Sequence, residues 1–386
     1  MGNTGRLASF QRAKRHLPSF RIPRSPFVND DLSAARLSRR TMLQWAALGI
    51  AAPSALAACG SSSGSGASGS SSGSGFGSIG IQLSWIKNIE FSGEYFATTK
   101  GYYTAAGFSS VNLIAGGSAG TSAESAVAAG KAFVGLSSPG ATGPAILQGA
   151  PLKTVGTTYQ KNPFAILSVT SKKPIAAPKD MAGKKIGIQQ GTNEVLFKAL
   201  LTANGMTTSD VTIVPVQYDP TVLITGEVDG YMAYITNEPI LIKSKGYPTT
   251  TFLFADYGLP LAAETFVVLQ DSIDKDRAKV KALLKAEIQG WTDAVASPAS
   301  SANLAVNNFG KGDGLNITEQ TAEATAQNGL IVSSDTTKNG LFTMTDALIA
   351  DNIEALGKVG VSIKSSQLFD LSLLAEVYEE YPSLKA

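Results

Sequence analysis

The chain has 386 residues, 44% of them hydrophobic and 16% charged, which is length enough for about two domains and a substantial core. Taking the nine basic and two acidic side chains of residues 1–58 out of the totals of 32 and 30 leaves 23 basic against 28 acidic, a net of −5. The body of the protein is therefore mildly acidic, which counts against nucleic-acid binding, since that requires a basic face. The only histidine is His16 and the only cysteine is Cys59, which excludes Ser-His-Asp and Cys-His catalysis, His- or Cys-ligated zinc and internal disulfides from everything downstream.

Residues 38–59 run Ser-Arg-Arg-Thr-Met-Leu-Gln, then an apolar stretch from Trp45 to Ala58, then Cys59. A basic segment, about 15 apolar residues and a small-residue cleavage site are the parts of a secretory signal. The stretch is short and holds Pro53, which argues against a permanent membrane helix. Arg39-Arg40 after Ser38 resembles a twin-arginine signal, used by proteins exported already folded; paired arginines also occur in general secretory signals, so both routes stay open. Leu56-Ala57-Ala58-Cys59 resembles a lipobox, which implies diacylglycerol on Cys59 and anchoring at the outer face of the cytoplasmic membrane. A lone cysteine is otherwise an inert buried thiol. Residues 60–75 are almost wholly Ser and Gly, a flexible coil with a root-mean-square span of roughly 20–25 Å. The front thus divides into an export signal at 1–58 and a lipidated tether at 59–77.

From Ser78 short β-rich runs alternate with helical patterns. Residues 79–85 read as a strand, 93–107 as an amphipathic segment, 111–114 as a strand, 122–129 as a helix, and 132–136, 152–157 and 165–169 as strands. A second unit opens with the run Pro178–Ile188 and continues through Gln189-Gln190-Gly191-Thr192-Asn193 into a helix at 194–203 ended by Gly205, a strand at 211–216 and another opened by Gly226–Tyr231. From Lys275 the pattern is helical almost to the end, with Leu283, Leu284, Ile288 and Trp291 on one face of the first helix and Leu373, Leu374 and Val377 on one face of the last. Such alternation predicts an α/β fold of parallel sheets with helices on both faces.

Trp85-Ile86-Lys87-Asn88, Gly93, Lys100-Gly101-Tyr102-Tyr103 and Gly107, then Lys184–Gly191 and Gly226–Tyr231, resemble in order and spacing the periplasmic-binding-protein-like group that contains the binding proteins for thiamine pyrimidine precursors, riboflavin, sulfonates and nitrate. The resemblance covers roughly residues 78–300. It implies a type II periplasmic-binding-protein-like fold, with two α/β lobes, two crossing segments and a ligand cleft between the lobes. Crossings placed near 169–174 and 263–268 make lobe one 78–170 plus 266–386, and lobe two 171–265. Hinge closure around the ligand is the motion expected of such a fold.

The resemblance also points to site residues. Trp85 and Asn88 match the Trp-x-Pro-Asn of the pyrimidine-precursor branch, with Lys87 in place of proline, and Tyr234 and Glu238 match its Tyr-x-x-x-Glu. Aromatic faces stack on a flat ring, while an amide and a carboxylate accept hydrogen bonds from ring amines. Where that branch often has Asn-His, this chain has Glu90-Phe91, which leaves the ligand open and adds a second carboxylate; Asn237-Glu238-Pro239 is closer to riboflavin-type binders. Ser137-Ser138, Tyr159, Gln190, Thr192 and Tyr218 follow strands, where cleft loops are expected. Each has a plainer reading: Trp85 as strand-end core, Asn88 as a cap, Tyr234 as packing between lobes, Glu238 as a solvated loop charge. Gln190–Asn193 before a helix offers backbone N–H groups to an anion, but lacks the second glycine and Lys-Ser/Thr of a nucleotide loop.

Three functions follow. One is a monomeric ABC-import receptor for a neutral or cationic aromatic solute, with permease subunits as partners. A second is a receptor for alkanesulfonate or nitrate, disfavoured because Arg277 is the only arginine after Arg40. The third is an enzyme; the family contains a pyrimidine-forming one, but its histidine and cysteine chemistry has no counterpart after Cys59. No cofactor is implied.

Overall fold

The computed structural model describes residues 75–117 and 120–385, so the export signal, Cys59 and nearly all of the tether lie outside the described residues. In chain order the first body is built from β1 (Gly77–Gln82), α1 (Ser92–Thr99), α2 (Tyr102–Ala105), β2 (Phe108–Ile114), α3 (Ala123–Ala128), β3 (Val134–Ser137), α4 (Pro139–Leu147) and β4 (Leu152–Tyr159). The second follows with β5 (Phe164–Val169), β6 (Lys185–Gln189), α5 (Thr192–Ala203), β7 (Thr212–Val216), α6 (Val222–Thr225), β8 (Gly230–Tyr234), α7 (Glu238–Ser244) and β9 (Thr249–Leu253). The chain then returns through β10 (Ala263–Leu269) to α8 (Gln270–Lys275), α9 (Arg277–Ala296), α10 (Pro298–Leu304), α11 (Ile317–Ile331), α12 (Ser334–Asn339), α13 (Asp346–Lys358), α14 (Ser365–Leu368) and α15 (Ser372–Glu380).

The strands form two five-stranded sheets of matching design, ordered β2-β1-β3-β10-β4 and β7-β6-β8-β5-β9. In each, three strands joined in succession by helices, β1–β3 or β6–β8, pair in parallel, as crossover connections dictate. The strand that enters from the other body, β10 or β5, is antiparallel to both neighbours. The sheets are therefore mixed rather than parallel. The crossings also differ from those expected at 169–174 and 263–268. Phe164–Val169 pairs with β8 and β9 in the second sheet, and Ala263–Leu269 lies between β3 and β4 in the first, so the chain crosses at 160–163 and 254–262. Strands buried on both faces read as continuous apolar runs whichever sheet they join, and pairing alone assigns them.

Lobe one packs α1 and α9 against its sheet, burying Ile81, Tyr95, Phe266, Leu283, Leu284, Ile288 and Trp291, with Leu373, Leu374 and Val377 of α15 in the same core. Ile166, Ile186, Ile188, Phe197 and Leu200 form the core of lobe two, and Leu356, Ile363 and Leu368 from the C-terminal region join that cluster. Both crossings are pinned by amides: Asn162 Nδ2 donates to Leu259 O at 2.8 Å, and Ala262 N to Asn352 Oδ1 at 2.9 Å.

Candidate ligand cleft

The two sheets turn the C-terminal ends of their parallel strands toward one cleft, where α/β sheets place their ligand sites. Ser84 and Trp85 enter it after β1 and Ser137 and Ser138 at the end of β3; Gln189 and Gln190 enter after β6 and Tyr234 at the end of β8. Phe164 and Glu264, each just past a crossing, complete the wall. Tyr234 stands edge-on to Phe164, with ring centroids 4.6 Å apart at 81°. Four glutamates line the cleft, Glu90, Glu124, Glu238 and Glu264, and no lysine, arginine or histidine is among the described lining residues.

Three of these carboxyls are held by a network that joins the lobes. Glu264 on lobe one accepts from the Ser84 hydroxyl at 2.9 and 2.8 Å and from the Tyr234 hydroxyl of lobe two at 3.0 Å. Its φ of +50° is left-handed, a conformation a glutamate holds only when its surroundings demand it. Glu90 accepts from Asn88 Nδ2 at 3.1 Å and from Asn237 Nδ2 of lobe two at 3.2 Å. Glu238, first residue of α7, folds back so that Oε2 accepts from Tyr234 N at 2.8 Å. Burial pushes Glu90 up to about 7 and, with a contribution from the Glu90 charge, Glu238 and Glu264 up to about 8. Behind them α11 braces the turn at Ile89–Phe91: Gln320 accepts from Ile89 N at 2.8 Å and donates to Glu323, itself raised to about 9 chiefly by burial.

Of the residues singled out in the sequence, Trp85, Glu90, Ser138, Gln190, Tyr234 and Glu238 line the cleft. Asn88 and Asn237 do not; both are buried with their amides spent on Glu90, and Asn88 also caps the following turn. Tyr159 is sealed behind Tyr234 and donates to Gln327 Oε1 at 2.9 Å. Tyr218 is 48% exposed and is not part of the cleft wall. The Thr192 side chain lies outside what is described. Sequence reasoning missed Ser84, Glu124 and Glu264. The one available signal was a single acid in the otherwise apolar or uncharged run from Leu259 to Leu269, since a charge inside a doubly buried strand must have a partner or a purpose.

A model of the NMT1/THI5-like family matches residues 88–301. The chain belongs to that family. Among curated relatives of this NMT1/THI5-like protein, the riboflavin-binding protein RibY of Chloroflexus aurantiacus is 30% identical over 234 residues, a match that takes in 58% of this chain and 65% of RibY. Solved structures share its fold: the periplasmic nitrate-binding protein NrtA from Synechocystis PCC 6803 has a TM-score of 0.59 at 12% identity, covering 80% of this chain and 91% of NrtA. The alkanesulfonate-binding protein SsuA from Xanthomonas axonopodis pv. citri, bound to MOPS, has a TM-score of 0.55 at 16% identity, covering 78% of this chain and 97% of SsuA. At these identities the likeness is one of fold, and the fold is that of a periplasmic binding protein. Among the described residues no helix is long and apolar enough to cross a membrane, and no group of three or more metal-ligating side chains is assembled.

Proposed function

We propose that this chain is the extracytoplasmic solute-binding lipoprotein of an ABC importer, and that its cleft captures a small nitrogen-rich aromatic solute of pyrimidine or flavin type. The observation that carries the reading is the make-up of the cleft wall: rings at Trp85, Phe164 and Tyr234, four glutamates, and no basic side chain among the described residues. Trp85 and Tyr234 offer faces to a flat ring, while Glu90, Glu238 and Glu264 accept from ring N–H groups or exocyclic amines. Carboxyls raised by burial release their protons when a donor-rich or cationic ligand takes up the negative charge, so ligand entry and deprotonation are linked. An alkanesulfonate or nitrate would meet four acidic side chains and no counter-charge among the described lining residues. The relationship to RibY supports the same ligand class.

The lobe-to-lobe bonds Asn237–Glu90 and Tyr234–Glu264 tie the capture groups to lobe closure, so a ligand that satisfies them holds the closed form. The permease subunits then read the closed surface of a monomer held near the membrane by Cys59. A thermal-shift panel on the full chain tests the ligand class: riboflavin or an aminopyrimidine should raise the melting point by mass action. A rise with sulfonate or nitrate alone would overturn the reading. For the anchor, Cys59→Ser should move the protein from membrane to soluble fraction, and a variant that stays with the membrane refutes lipidation.

A further inference from the structure

Glu124 stands apart from the carboxyl network that joins the lobes. Lying in the first turn of α3, it is 6% exposed, and its Oε1 accepts from the Ser137 hydroxyl and from the Thr142 hydroxyl, the latter at 3.0 Å. Two hydroxyls converging on one oxygen is the arrangement that holds a carboxylate, and Glu124 faces the cleft with no basic residue among the described lining residues to offset it. Beside it, Ser138 is also 6% exposed and lines the cleft, yet its Oγ has no hydrogen-bond partner. Ser138 precedes α4, and α5 of the other lobe opens onto the same part of the cleft through Gly191 and Asn193. The two helices pack closely across the lobes: a Cβ on Gly140 would stand 2.3 Å from Leu196 Cδ2.

A buried hydroxyl left unpartnered beside a carboxylate fits a ligand group that both donates and accepts. A ligand hydroxyl donates to Glu124 and accepts from Ser138. A phosphate or carboxylate here brings a second negative charge against Glu124 in a water-poor site. Resting on the reading of the cleft as a nitrogen-heterocycle site, we propose that Glu124 and Ser138 form a specificity-determining subsite that takes the hydroxylated, uncharged arm of the solute and refuses its phosphate ester. The importer then delivers the unphosphorylated compound, and a phosphoryl-transfer reaction inside the cell must consume it.

The test is titration of the full chain with two matched pairs, riboflavin against its 5′-phosphate and a hydroxymethyl-aminopyrimidine against its phosphate. At least one parent compound should bind, with its ester weaker by about 30-fold or more. Glu124→Gln, which keeps the size of the side chain and an acceptor for Ser137 and Thr142, should shrink that ratio to within a few-fold. Ser138→Ala removes no hydrogen bond of the empty chain and should weaken the parent by about tenfold, a typical cost for one buried hydrogen bond. A parent and ester of equal affinity, a ratio unmoved by Glu124→Gln, or a parent unaffected by Ser138→Ala overturns the subsite while leaving the heterocycle reading standing. Failure of both parents to bind overturns both.

Discussion

Two groups of buried glutamates lie in this molecule, and they behave differently. In the cleft, Glu90, Glu238 and Glu264 each accept from identifiable donors: an asparagine from each lobe, a backbone amide, a serine and a tyrosine hydroxyl. Between α1 and α9, Glu94 and Glu287 are fully buried as well, but neither oxygen of Glu94 nor Oε2 of Glu287 accepts a well-formed hydrogen bond, although the Trp291 side chain and the Glu94 backbone stand close enough to Glu94 to offset part of its burial. Only Tyr103 donates, to Glu287 Oε1 at 2.5 Å. Burial raises all five carboxyls, and for Glu94 the like charge of Glu287 adds to that effect. What separates the groups is access. The first borders a cavity into which a ligand brings new donors, whereas the second is closed in by helices that touch at Gly93, whose absent Cβ would fall 2.2 Å from the Trp291 ring. Burial makes a carboxyl hold its proton; only burial at a cavity wall makes it a binding group.

The comparison can be broken at the sealed site first. Gly93→Ala should destabilise the fold by about 2–3 kcal/mol in urea unfolding, because two helices must part to admit a methyl group. An unchanged midpoint would show the interface to be looser than its packing implies. In the cleft, Glu238→Gln should weaken an amine-bearing ligand by about 1–3 kcal/mol in titration calorimetry without lowering the melting point of the empty chain. Unchanged affinity would remove Glu238 from the site.

Acidity sharpens the contrast. For Glu90, Glu238, Glu264 and Glu287 the folded values of about 7 to 8 lie above the ordinary 4.5, so the folded chain binds more protons than the unfolded chain between those limits. Their contribution to stability is fully present below about 4.5 and is lost as pH rises through 7 to 8. The melting point of the empty chain should therefore fall from pH 5 to pH 8. Saturating cationic ligand should flatten the share of that slope due to the cleft, and Glu287→Gln the share due to the sealed pair. A slope that ligand leaves untouched would count against proton release on binding. The smallest effect belongs to Tyr218→Ala, which should change stability by no more than about 0.5 kcal/mol and leave affinity unchanged; a marked loss of binding would return Tyr218 to the cleft.

Much of this was legible in the residues. Apolar runs located most strands within a few positions, and the motifs around Trp85 and Tyr234–Glu238 led to side chains that do line one cleft. What stayed hidden depends on pairing and backbone shape. Nothing in Phe164–Val169 says which sheet it joins. Glu264 sits in a left-handed conformation that no glycine or asparagine announces. Glu124 opens a short helix, where an acid reads as an ordinary complement to the helix dipole. Asn88 and Asn237 fell in the right neighbourhood, but their amides act on Glu90 rather than face the cavity.

The placement of β10 between β3 and β4 has a bearing on how the chain comes to exist. All five strands of the second lobe are contiguous in the chain, from residue 164 to 253, so that sheet is complete as soon as its last strand has been synthesised. The first lobe is different. Its two halves, already made by residue 159, remain an open seam until residues 263–269 arrive to zip it shut. The insert is therefore free to mature before its host, and a chain cut short anywhere between the two lacks the strand that joins β3 to β4 in lobe one.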